Sequence, residues 1–162
     1  MLFRLTTADA LILAILMTIP QVVFSAERGG MNAAEGRLNP TAPGQTVAAG
    51  YLSLRNSTPK VQTIVSASSP VAEIVEIHQV SMTGGVARMR KIELLSIPSG
   101  SQVRFAPGGY HLMFQSLRSR LLPGQTVPLK LRMANGQTLD VPMTVGPSLP
   151  AQTKEQTHHG HH

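Results

Sequence analysis

Between Thr46 and Val145 the apolar residues recur with a period of two, broken by clusters of Gly, Pro, Asn and Ser. That alternation places successive side chains on opposite faces of a pleated strand. Leu52 and Leu54 alternate with Ser53 and Arg55, and Asn56-Ser57-Thr58-Pro59 then turns the chain. Val61, Thr63 and Val65 alternate with Gln62 and Ser66, predicting a strand whose odd-numbered residues face inward. After Ser69-Pro70, the β-branched run Val71 to Val80 predicts a strand, Thr83-Gly84-Gly85 a hairpin turn and Val86 to Leu95 the return. A short strand is predicted at Gln102 to Phe105. The Pro107-Gly108-Gly109 turn launches another from Tyr110 to Gln115. Val127, Leu129, Leu131 and Met133 form one apolar face, and Leu139, Val141, Met143 and Val145 form its mate. Asn135-Gly136 between them predicts a type I′ hairpin. Pro142 has no N–H to give a ladder, so it predicts a bulge or an edge strand. Roughly seven to nine short strands and no helical period predict an all-β fold, an antiparallel Greek-key sandwich or barrel with little helix.

The flanks lack this period. Residues 1–25 carry Arg4, the apolar run Ala10 to Ile19 and the break at Pro20-Gln21, the layout of a cleaved signal peptide. The run is about half the 20 apolar residues of a spanning helix, so no stable membrane insertion is expected after cleavage. Residues 26–45, rich in Gly, Asn and Pro, are expected to be a flexible N-terminal arm. The β domain is expected over 46–146, and 147–162 as a disordered tail ending His158-His159-Gly160-His161-His162.

Composition removes several functions. The chain has no cysteine, which excludes a blue-copper centre with its thiolate ligand and any Cys-x-x-Cys redox exchange. Its net charge of +6 is scattered, with no run of five cations, and aromatic residues make up only 4%. Nucleic acid is therefore not an expected partner. No Ser/His/acid or paired-carboxylate constellation stands out, so no enzyme is expected.

The candidate chemistry lies between His78 and Met113. His78 and His111 are the only histidines outside the last five residues. Met89 follows His78 by eleven residues, and Met113 follows His111 by two. Two thioethers and two imidazoles are a ligand set that selects Cu(I) over hard cations, whereas zinc recruits thiolates, carboxylates or more imidazoles. Methionine is most often core filler, and Met133 and Met143 fit that role, being in phase with apolar faces. Met113 does not. Tyr110, Leu112 and Phe114 make the apolar set of their strand, so His111 and Met113 share the other face. Met89 sits among Arg88, Arg90 and Lys91, surroundings unsuited to deep burial. The tail imidazoles His158, His159, His161 and His162 form a second candidate set suited to Cu(II).

The pattern of His78, Met89, His111 and Met113 resembles the signature of the periplasmic copper chaperone family PCu(A)C. So do Ala48 to Asn56, Val75-Glu76-Ile77-His78, Pro107 to Met113 and Leu122-Pro123-Gly124. The resemblance covers roughly residues 46 to 146 and its spaced ligands are fairly specific. Before Thr46 the family's opening aromatic residue is missing. The resemblance implies a cupredoxin-like fold and a periplasmic chaperone that holds Cu(I). Its acceptor would be another protein, either a respiratory terminal oxidase subunit or another copper chaperone. Copper sequestration for tolerance, or a β-sandwich interaction module without a metal role, are the competing readings.

Overall fold

The computed structural model of the protein describes residues 30–147. The signal-peptide expectation for residues 1–25 and the second set at His158, His159, His161 and His162 lie outside the described residues. Within them every element is a strand: β1 (Met31–Leu38), β2 (Ala48–Asn56), β3 (Gln62–Ser68), β4 (Ala72–Thr83), β5 (Val86–Lys91), β6 (Leu95–Ile97), β7 (Gln102–Arg104), β8 (Tyr110–Leu117), β9 (Thr126–Met133) and β10 (Thr138–Val145). Hydrogen bonding runs β4-β8-β2-β1-β10-β9-β3, and β3 returns to β4 through Ala67 and Val75, closing a seven-strand barrel. β5, β6 and β7 are attached outside this ring. All pairings are antiparallel except β1 with β10. The expected all-β class is thus the observed one. Among the described residues no helix is long and apolar enough to cross a membrane.

Leu52, Leu54, Ile77, Leu112, Phe114, Leu129, Leu131, Met143 and Val145 fill the barrel and are almost fully buried. Met133 joins them, so two methionines are core as their phase predicted. Tucking such apolar side chains away from water supplies most of the favourable folding term.

Four local expectations are corrected. Residues 31–38 belong to the barrel as β1, where the sequence predicted a flexible arm. β1 contributes one large fully buried residue, Leu38, and a bulge between Ala34 and Arg37 breaks its period. Its order comes from pairing with β2 and β10, which local pattern does not reveal. The following segment is tied down too: Thr41 is buried, and its hydroxyl accepts from the Leu121 N–H at 2.9 Å. In β3 the inward residues are Gln62 and Ile64, while Val61 lies exposed. Gln62 tolerates burial because its amide donates to the Thr58 hydroxyl and its carbonyl accepts from Asn135.

The Asn135-Gly136 hairpin has positive φ only at Gly136. Gly136 N–H donates to Met133 O and Met133 N–H to Gln137 O, so the loop is a three-residue turn closed by a left-handed glycine. Both central residues are left-handed instead at Gly84-Gly85, where Thr83 opposes Val86. Pro142 lies in a regular strand, opposite Pro128. Hydrogen-bonded pairs of this ladder alternate, as at Met133 with Gln137 and Val145 with Gln125. The two prolines therefore share a non-hydrogen-bonded pair, where neither missing N–H is needed between these strands.

Candidate metal centre

β5, β4 and β8 lie side by side, with β4 in the middle. Their register places His78 directly opposite His111 on β8 and opposite Lys91 on β5. Glu76 faces Met113, and Val80 faces Met89. Because alternate residues share a face, His78, Met89, His111 and Met113 all stand on the same side of this three-stranded surface. The other side carries Ile77, Leu112 and Phe114 into the core. The expectation that His111 and Met113 turn away from the apolar set of β8 is met.

The four residues are not equally held. The imidazoles of His78 and His111 lie with ring centroids 5.8 Å apart, and His111 is buried at 6% exposure. Met113 is half-buried. Met89 is 57% exposed, on the outermost strand. It is a diagonal neighbour of His78, a separation of about 7–8 Å that a long side chain can span.

Hydrogen bonds fix the imidazole nitrogens. The Pro107-Gly108-Gly109 turn, with Gly108 at φ 79°, points the Gly109 carbonyl back toward β4 and β8. It accepts from the Val80 N–H at 3.1 Å and from His111 Nδ1 at 3.2 Å. With that proton on Nδ1, the lone pair of neutral His111 sits on Nε2. His78 is arranged the other way. Its Nε2 donates to the Glu76 carboxylate at 2.9 Å. Its Nδ1 is buried and has no hydrogen-bond partner. A proton there would have no acceptor, so in the neutral ring Nδ1 presents a lone pair. A buried polar atom without a partner is uncommon, and a soft cation would satisfy it.

Glu76 is the residue that the sequence reading passed over. Its carboxylate accepts from His78, from Gln115 Nε2 at 3.0 Å and from Lys91 Nζ at 3.1 Å. The His78 hydrogen bond first, and Lys91 second, hold its carboxyl below the ordinary value. Lys91 in turn is raised by its bonds to Glu93 and Glu76. The signal was available: position 76 has the parity of His78, two residues away along a strand. A carboxylate supporting a ligating imidazole is a recurring arrangement. Among the described residues, no three His, Asp or Glu side chains converge as a metal site. A hard-ligand zinc or magnesium cage is therefore absent from them. What remains is two imidazoles with thioethers on the same face, a donor set fitted to Cu(I).

Comparison with known proteins gives the family and the fold. The LpqE-like family profile matches residues 31–145, so the match includes β1. Lxx21020 of Leifsonia xyli subsp. xyli is 28% identical over 148 residues, covering 89% of each chain. Among solved structures, a copper-bound PCuAC domain from PmoF2 superposes with a TM-score of 0.62 at 18% identity, over 74% of this chain and 95% of that one. The solution structure of CuI-DR1885 from Deinococcus radiodurans gives 0.60 at 25% identity, over 78% and 83%. Its apo form gives 0.59 at 24% identity, over 92% and 97%. The fold is that of PCuAC domains.

Proposed function

Since the chain belongs to the LpqE-like family and has the PCuAC fold, we propose that it is an exported copper chaperone holding Cu(I) at His78, Met89, His111 and Met113. The observation that carries this reading is the facing imidazole pair with the unpartnered, buried Nδ1 of His78. Copper-bound and CuI forms among the similar structures support it. In this reading His78 ligates through Nδ1 and His111 through Nε2, while Met113 and Met89 approach on diagonals from opposite sides of His78. Neutral ligands can leave one at a time, which suits transfer better than a closed thiolate cage. The acceptor in this reading is a protein of the same compartment, the periplasm, and the copper centre of a respiratory terminal oxidase is the destination we propose.

Copper is cargo here, and the test addresses its ligands. Competition titrations with a Cu(I) chelator use the full chain with His158, His159, His161 and His162 replaced by alanine. Met113→Leu conserves volume and apolarity, so stability should change by less than about 1.5 kcal/mol. Cu(I) affinity should fall, with Cu(II) binding changed less, because only a soft donor is lost. His111→Ala should weaken both. Equal Cu(I) affinity in Met113→Leu and the parent would make Met113 packing and remove the site as described.

A further inference from the structure

β5 is the last strand of the sheet order, so one of its edges pairs with β4 and the other with no described strand. All six of its residues are exposed. A free edge is a row of unpaired N–H and C=O groups able to accept another strand. Three of the six residues, Arg88, Arg90 and Lys91, are cations and none is acidic. Lys91 is occupied by Glu76 and Glu93. Arg90 reaches the neutral amide of Gln79, and neither it nor Arg88 pairs with an acid among the described residues. Interleaved with these charges stand Met82, Val86 and Met89, at 66%, 58% and 57% exposure.

Charges on an edge strand can serve only to repel unwanted pairing. A guard of that kind needs no apolar companions. Here Met82 and Val86 flank the Gly84-Gly85 turn, and Met89, the exposed candidate ligand, stands further along β5. Two copies of this strand would set arginines against arginines, so self-pairing is disfavoured. A lipid surface would meet the arginines but leave the backbone edge unpaired.

We propose that the outer edge of β5 is a docking site for an extended acidic segment of a partner protein. Carboxylates of that segment would face Arg88 and Arg90, and its backbone would continue the sheet beside Met89. Naming the partner as a copper acceptor rests on the proposed function. The strand pairing and charge match do not. Docking here brings incoming donors to the most exposed of the four candidate ligands, so Met89 would be the first to be exchanged.

The test uses isotope-labelled full chain, apo and with Cu(I). The probe is a synthetic peptide of alternating Glu and Thr with a central Met; the control has Lys for Glu. Amide shifts should move along residues 83–92 with the acidic peptide only. Arg88→Glu with Arg90→Glu should weaken peptide binding by about tenfold or more, with Cu(I) affinity within about twofold of the parent. Raising salt should weaken it in the same direction. Shifts elsewhere, no binding, or a double variant that binds equally well would overturn the proposal. So would loss of binding to phosphatidylglycerol vesicles in the double variant when the peptide does not bind, since that outcome assigns the arginines to lipid. Peptide docking on a chain that binds no Cu(I) would overturn the copper reading and leave the docking site standing.

Discussion

At His78 the two ring nitrogens meet different surroundings. Nε2 donates to Glu76, while Nδ1 is buried with nothing to bond. In the proposed site Glu76 would therefore act through His78, as a positioning residue. Replacing it by leucine should let the ring populate both tautomers, since the carboxylate that holds the Nε2 proton is gone. Imidazole nitrogen NMR of the apo protein should show this, and Cu(I) affinity should fall by about 10–100-fold. An unchanged tautomer in Glu76→Leu would mean that the carboxylate serves only Lys91 and Gln115. A second residue, Asn56, shows how polar burial is tolerated. It is fully buried, donating to the Lys60 and Ile97 carbonyls and accepting from the Thr58 N–H and hydroxyl. Asn56→Leu strands those groups, and a loss of about 1–3 kcal/mol is expected from denaturant unfolding.

Among the elements, β1 decides whether the barrel closes. It joins β2 on one side and β10 on the other, and between them Gly36 is pressed against the Pro142 backbone. A Cβ built at Gly36 would stand 2.6 Å from the Pro142 carbonyl oxygen, too close for any real contact. That oxygen is backbone and cannot rotate away. Gly36→Ala should therefore cost about 1–3 kcal/mol, read as a lower denaturation midpoint, with Cu(I) affinity nearly unchanged. A flexible arm would tolerate the same change without effect. β5 and the end of β4 from Ser81 to Thr83 are the contrasting element: they lie beyond the barrel core and are exposed on both faces. Stability is lower where burial is sparse, so amides of β5 should exchange faster than those of β8.

In the whole molecule the candidate ligands stand outside the barrel, and the core is complete without them. Leu112, Phe114, Leu129 and Met143 are buried within 0% exposure, none of them sharing a face with His78. Copper removal should therefore leave the fold intact. A chelated sample should keep its far-ultraviolet spectrum and unfold cooperatively. Binding raises stability only by mass action, about 2.7 kcal/mol at a free ligand concentration of 100 Kd. For a domain of this size that is a rise in Tm of about 10 °C. Unfolding of the apo form at ambient temperature would instead mean that metal is part of the fold.

The period of two along the chain was enough to determine an all-β protein and the inward course of Leu52, Leu54, Leu129, Leu131, Met133 and Met143, while the Gly, Pro and Asn clusters placed its turns but not the type of every one. It also determined that His111 and Met113 turn away from the apolar side of β8, since parity along one strand is a local property. Tertiary structure alone decided that His78 stands opposite His111, that Glu76 supports it, and that Met89 lies on an outer edge. These depend on register between strands far apart in sequence, for which alternation carries no information. The same reason hid β1, which has little apolar pattern and is ordered by its two neighbours. It also reversed β3, where partners for the Gln62 amide made burial of a polar residue tolerable and left Val61 in solvent.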